Sequence, residues 1–358
     1  MGRLGPIARF LSGKTLLPLA GLLLVVVVVS TAASLRGSDE DPPAAPDATQ
    51  ACDKFASRHG SDGNRGTLRS PFRSPQKLVE SLRPGETGCL RRGTYEMELL
   101  EVEDGGRKGA PIRLRSAPGE EARLVGIVQV NEGADHVVFS RLSFEGTGDL
   151  NTIKIYSADV VVEHSDITNA WRGGSCMILG SDEEGAAVRT IVRGNRFHEC
   201  GDPDNENKDH SIYAAILQDG RILENRFWNH TAYAIHLYPN ADRNVVANNV
   251  IDGGPPSIRG GILIASEDEE NSSGNVIERN IVAYAPEWSI STNWDDGNVG
   301  DGNVIRYNCV WGGEAGTIQT DDGGVSAYGN IVGDPLFVDR EERDYRLQDE
   351  SPCWPLFR

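Results

Sequence analysis

From Leu124 onward, apolar and polar positions recur in a fixed order. The segments VVFSRLSF, VVVEHSDI, TIVRGNRF, RILENRF, NVVANNVI, NVIERNIV, NVIRYNCV and VSAYGNIV align on one column of equivalent positions. Its members are Leu142, Ser165, Asn195, Asn225, Asn249, Asn280, Asn308 and Asn330. Successive members lie 23, 30, 30, 24, 31, 28 and 22 residues apart. Two positions after the column stand Phe144, Ile167, Phe197, Phe227, Ile251, Val282, Val310 and Val332. Three positions before it stand Phe139, Val162, Val192, Ile222, Val246, Ile277, Ile305 and Ala327, and all of these residues are apolar. A repeat of this period implies a solenoid in which each coil adds one layer to a continuous core. Short strands with inward residues at fixed offsets predict a parallel β-helix. The column itself lies between two inward positions an odd number apart, so side-chain alternation breaks there and a corner is expected. Asparagine tolerates left-handed backbone, and stacked amides hydrogen-bond from layer to layer. The column therefore reads as scaffold.

Spacings longer than the shortest ones mark insertions: SDEEGAAV near 181–188, GDPDNENKDH near 201–210, GGPPSIRGG near 253–261 and DDGNVGDGN near 295–303. Loops that leave a rigid stack are where function tends to be built. Upstream, Ser74 and Pro75 open an amphipathic segment, PQKLVESL, with Leu78, Val79 and Leu82 at helical spacing and Pro84-Gly85 closing it. A single helix ahead of a strand-rich body suggests a cap.

GSDGNRGT at 60–67 leads to SPF, the helical segment, PGET at 84–87, RRGTY at 91–95 and GAPIRLRSAPGE at 109–120. This order resembles the N-terminal caps of right-handed parallel β-helix proteins of the pectate-lyase-like superfamily, which includes polysaccharide lyases and mannuronan C5-epimerases. The ending GNIVGDPLFVDREERDYRLQDESPC, with its DPLFVD, DYRL and SP, resembles the closing segment of the same superfamily, so the likeness runs from about residue 55 to 353. It implies an all-β, single-stranded right-handed parallel β-helix with an N-terminal capping helix. It also implies an extracellular polysaccharide, acidic in character, as ligand.

Candidate chemistry lies in KDHSIYAAILQDGRILENRFWNHTAYAIHLYPNADRNVVANNVIDGG, 208–254. Taking Ile212, Ile235, Ile262, Ile290 and Ile318 as inward markers, residues one step away point outward and equivalents stack about 4.8 Å apart. Tyr213, His236, Leu263, Ser291 and Gln319 then form one exposed column, and Tyr238, Ala265, Asn293 and Asp321 a second. The inserted loop bearing Lys208, Asp209 and His210 enters the same face, and Arg259 belongs to the next insertion. Such a set suits proton abstraction beside a carboxylate, by uronate β-elimination or C5-epimerisation. Lys208 or Arg259 would neutralise the carboxylate, His236 or His210 act as base, and Tyr213 or Tyr238 as acid. Exposed His and Tyr are also ordinary cross-strand partners, which leaves a non-catalytic solenoid that binds glycan or protein as the alternative. His230 falls at a different phase, near a corner.

Asp295 and Asp296, in NWDDGN, and Asp321 and Asp322, in QTDDGG, lie one coil apart. Paired carboxylates serve inverting glycoside hydrolases or hold Ca²⁺, the one cofactor suggested by this sequence. The NTD, GHG and RIK signatures of polygalacturonase-type β-helices are absent, and Asp-Gly-Asn runs are also plain turns. In place of the Asp-Pro-His-Glu run of the epimerases stands DPDNENKDH, where a loop separates Asp202-Pro203 from His210.

Composition agrees with this picture. The chain has 358 residues, 39% hydrophobic and with 41 glycines, a mix that favours strands joined by turns. A net charge of −18 disfavours nucleic acid, which needs clustered Lys and Arg, and means that a polyanion would require a local basic patch or a bridging cation. Arg3, Arg9 and Lys14 precede the apolar run Leu16–Val29, and residues 1–33 fit either a signal peptide or a membrane anchor, the chain's one membrane contact. Either way the expected location is extracytoplasmic. Residues 34–51, rich in Pro, Ala and acid, read as a linker, with the β-helix domain at 52–358. Six cysteines in an exported chain suggest disulfides, and proximity along the chain pairs Cys52 with Cys89, Cys176 with Cys200 and Cys309 with Cys353.

Overall fold

The computed structural model describes residues 51–148, 150–204, 209–267, 270–292, 299–320 and 323–357. Among these, strands stack in parallel around a single core. One 11-stranded sheet runs from Lys54–Ala56 to Val325–Tyr328, each strand pairing with the equivalent strand of the next coil. A second set of strands passes through Asp166–Thr168, Arg196–Cys200, Arg226–His230, Val250–Asp252 and Ile281–Ala285. A third passes through Met177–Leu179, Ile212–Gln218, Ile235–Asp242, Ile262–Ile264 and Trp288–Ser291. Long early strands, Gly93–Val102 and Ala122–Val130, span the second and third sets.

The core is the aligned apolar stack. Phe139, Phe144, Val162, Ile167, Val192, Phe197, Ile222, Phe227, Val246, Ile251, Ile277, Val282, Ile305 and Val310 are all fully buried. Phe197 and Phe227 stack at 4.9 Å. The last coil differs: Ala327 pairs with Ile305 and Val332 with Val310 in the expected register, yet both are exposed, because no described coil lies beyond them.

The asparagine column forms a hydrogen-bonded ladder. Asn249 Oδ1 accepts from the Asn225 backbone N–H at 2.9 Å and from Asn225 Nδ2 at 3.0 Å. Asn249 Nδ2 donates to Ile222 O and to Asn280 Oδ1, both at 2.9 Å. The same pattern links Asn195, Asn225, Asn280, Asn308 and Asn330. The left-handed backbone expected at the asparagines falls one residue earlier, at Arg141, His164, Gly194, Glu224, Asn248, Arg279, Tyr307 and Gly329. That residue turns the corner, and the asparagine satisfies the backbone groups which the turn leaves over. A second ladder, Asn244, Asn275 and Asn303, runs five residues ahead of the first at the other end of the same short strands.

The helix forms at Pro75–Ser81, with Ser74 as N-cap accepting from Lys77 N–H and Leu78 and Val79 buried. Three disulfides, Cys52–Cys89, Cys176–Cys200 and Cys309–Cys353, pair the cysteines as chain proximity suggests. The hairpin Phe337–Asp339 and Asp344–Leu347 lies against the second set of strands, where Arg340 bonds Asp252 at 2.6 Å. No helix among the described residues is long and apolar enough to cross a membrane. Residues 1–50, including the run Leu16–Val29 and nearly all of the expected linker, lie outside the described residues.

Candidate functional site

Strand register brings two of the sequence candidates, Tyr213 and His236, side by side. Ile212 pairs with Ile235, Ile235 with Ile262, Ile262 with Ile290 and Ile290 with Ile318, so Tyr213 pairs with His236 and His236 with Leu263. His236 sits at the centre of a ring of side chains. Its imidazole lies 4.3 Å from that of His210, 5.3 Å from Tyr213, 5.5 Å from Tyr233 and 5.2 Å from Tyr238, measured between ring centroids.

The column points outward, as alternation requires, but much of it is covered. His210 is 3% exposed and His236 2%, and Leu263, Ser291 and Ala265 are buried. Pointing outward from a sheet and being exposed are different properties, and here the neighbouring rings and the flanking segments close over the strand. Tyr213, Tyr238 and Arg259 keep partial exposure and form the accessible rim. Tyr238 Oη donates to Glu267 Oε2, and Arg259 Nη1 donates to Glu287 Oε1 at 2.9 Å.

His210 is fixed through its main chain as well as its ring. Its N–H donates to Ser175 Oγ at 3.0 Å, and its carbonyl accepts from the Cys176 N–H at 3.0 Å. The Cys176–Cys200 disulfide ties the start of the 201–210 segment to the same coil. At Gly201 the backbone is left-handed, φ +96°, and an added Cβ would meet Thr231 Oγ1 at 2.0 Å, so only glycine fits the turn.

Two hydrogen bonds assign the protons. The Tyr233 N–H donates to His210 Nδ1 at 3.2 Å, so His210 carries its proton on Nε2. Nε2 lies 2.8 Å from His236 Nδ1, which must then accept, leaving the proton of neutral His236 on Nε2. Burial keeps both rings neutral. It pushes the His210 pKa down to about 3, with His230 adding to the shift, and holds His236 well below the usual histidine value, with His210 adding. Burial also raises Tyr213 and Tyr233 to about 12, so their phenols stay protonated. The ring is thus an uncharged cluster of hydrogen-bond donors.

His230 is fully buried near the ring. Its nitrogens make no hydrogen bond, the Gly260 backbone lying near but outside bonding geometry, and burial lowers its pKa to about 4 against the pull of Asp252. Tyr233 was not among the sequence candidates. It precedes the strand Ile235–Asp242, where two-residue alternation does not yet apply, so parity could not assign it to this face. Lys208 and the four aspartates Asp295, Asp296, Asp321 and Asp322 lie outside the described residues. Among the described residues no three His, Cys, Asp or Glu side chains group closely enough to hold a metal ion.

Parallel coils, an asparagine ladder at one corner and a side-chain cluster on one outer face define a parallel β-helix protein with a candidate site on its third set of strands. Residues 125–332, more than half of the chain, match the family described as right handed beta helix region, and the chain belongs to that family. Its fold is similar to pectate lyase Pel9A, at a TM-score of 0.66 and 14% identity over 85% of this chain and 92% of that one. It is also similar to a rhamnogalacturonan lyase, at 0.55 and 12% over 83% and 95%. An alginate lyase from Paenibacillus sp. str. FPU-7 matches at 0.53 and 17% over 72% and 91%. At these identities the likeness is one of fold. A stretch of 72 residues is 38% identical to the uncharacterized protein YwoF of Bacillus subtilis (strain 168), covering 20% of this chain and 15% of that protein.

Proposed function

We propose that this chain acts outside the cytoplasm on an acidic polysaccharide, and that the ring around His236 is where a uronate residue is held for β-elimination. The observation that carries this reading is the buried, hydrogen-bonded His210–His236 pair inside three tyrosines on an outward sheet face. A purely structural solenoid has no need to desolvate two imidazoles there. The proteins of similar fold add support, being a pectate lyase, an alginate lyase and a rhamnogalacturonan lyase by name.

In such an elimination a base takes the proton α to the carboxylate, the bond to the leaving glycosidic oxygen breaks, and that oxygen receives a proton. Tyr213, held protonated by burial, and Tyr238, both at the rim, suit the last step. Arg259 suits the carboxylate. With its proton on Nε2, His236 is a donor in the resting state, suited to hydrogen-bond developing negative charge. The base then comes from elsewhere, and Lys208, two residues before His210 in sequence, has the right chemistry.

Mass spectrometry of oligomers released from polygalacturonate and from alginate tests this. Elimination yields an unsaturated end that lacks the water which hydrolysis adds. Saturated fragments would replace elimination with hydrolysis, and intact polymer with unchanged sugar stereochemistry by NMR would remove both lyase and epimerase. The donor tautomer of His236 favours one second reading, a glycan-binding solenoid without turnover, for which the intact polymer would still be retained by the protein.

A further inference from the structure

A cleft rich in arginine lies away from the third set of strands. Where the 11-stranded sheet turns into the second set of strands, a cleft of about 910 Å³ is lined by Arg92, Arg115, Arg123, Arg141, His164 and Arg196, with Glu120, Glu121 and Asp166 among its other walls. Two of these arginines are already neutralised: Arg196 bonds Asp166 at 2.7 Å and Arg123 bonds Glu145. Arg92 and Arg141 are exposed, and among the described residues neither side chain makes an ion pair. Arg115 is 4% exposed, yet among the described residues its side chain makes one hydrogen bond, from Nε to Ser116 O at 3.3 Å, and no carboxylate lies in ion-pair range. Its charged neighbours are Arg141, a like charge, and Glu163, a carboxylate out of ion-pair range that Arg193 already holds.

Removing a guanidinium from water without a counter-charge in contact is costly, and a second cation beside it adds to the cost, which a distant carboxylate offsets only in part. An anion seated between Arg115 and Arg141 relieves both. The chain's charge is distributed accordingly. Residues 51–150 carry 15 Lys and Arg against 15 Asp and Glu, so the whole net charge of −18 falls on residues 151–358. Most of the cleft's lining therefore comes from the part of the chain with no net charge.

We propose that this cleft binds carboxylate groups of an acidic polysaccharide, holding a polymer strand on the face away from the tyrosine–histidine ring. Guanidinium groups match carboxylates in a planar, two-bond geometry. Coils stack about 4.8 Å apart, so arginines on successive coils are spaced on the order of one sugar residue along the axis. The acidic wall residues make the field too weak for nucleic acid, which needs an uninterrupted basic surface. The site takes only the polymer class from the functional reading above, and its geometry is independent of any chemistry at His236.

The test is isothermal titration of the full chain with polygalacturonate, alginate, neutral dextran and inorganic phosphate. At least one uronate polymer binds, and its affinity falls as salt rises. Arg92→Gln combined with Arg141→Gln weakens that binding about tenfold or more, with an unchanged urea midpoint. Both substitutions are of exposed side chains, so the fold is not at risk. Unchanged binding by the double variant, equal binding of dextran, binding of phosphate alone, or no binding of either uronate polymer overturns the proposal. Arginine-dependent binding without turnover would sink the lyase reading and leave this site standing. Turnover with arginine-independent binding would do the reverse.

Discussion

Acid should destabilise this fold well before its carboxylates titrate. His210, His230 and His236 are buried and neutral, with pKa values pushed down to about 3, about 4 and well below the usual value. In the unfolded chain each titrates near 6.5. As pH falls below that value the unfolded state takes up protons that the fold refuses, so stability is present above pH ~6.5 and is lost progressively toward the folded pKa values. For one histidine that stays neutral in the fold at pH 5, the loss between pH 7 and pH 5 is about 2 kcal/mol. Three give about 6 kcal/mol, comparable with the whole stability of many domains. Urea unfolding followed by circular dichroism at pH 7, 6 and 5 reads this directly, in a window where most carboxylates remain ionised. His230→Phe, which replaces a ring that makes no hydrogen bond by one of similar size, should remove about 2 kcal/mol of the pH dependence. A loss below about 1 kcal/mol between pH 7 and pH 5 would mean that the three rings are hydrated or charged in the fold, and the neutral donor cluster would be wrong.

The asparagine ladder can be broken in its middle. Asn249→Ala orphans the Asn225 backbone N–H and the Ile222 carbonyl and should cost about 3 kcal/mol in urea unfolding; a cost below about 1 would reduce the ladder to ornament. Replacing Cys176 and Cys200 by serine opens a 24-residue separation and should cost about 3 kcal/mol, with proteolysis of the 201–210 segment accelerating; unchanged proteolysis would show that the disulfide does not hold the loop.

The fold was legible because its physics is repetitive. Stacked Phe197 and Phe227, the asparagine column and the strand register of Ile212, Ile235, Ile262 and Ile290 all follow from one periodic pattern. The second ladder has the same kind of signature, since Asn244, Asn275 and Asn303 each stand five residues before a member of the first. The site was legible only in part. Parity placed Tyr213 beside His236, yet it could not say that the column would be buried, because burial depends on segments outside the repeat. It also could not orient the imidazoles, which took the Tyr233 N–H and the His210–His236 contact to settle. His230, near a corner by the repeat pattern, is fully buried, and the arginine cleft has no sequence signature because its members come from coils with no common motif.

The most direct test follows the ultraviolet absorbance of the unsaturated uronate end while the protein acts on polygalacturonate and on alginate. The account predicts a steady increase with one of these polymers, lowered by about 10² or more in Tyr213→Phe or Tyr238→Phe through loss of the proton donor, with thermal unfolding nearly unchanged. No increase with either polymer, or an increase indifferent to His236→Ala and to both tyrosine substitutions, would contradict it.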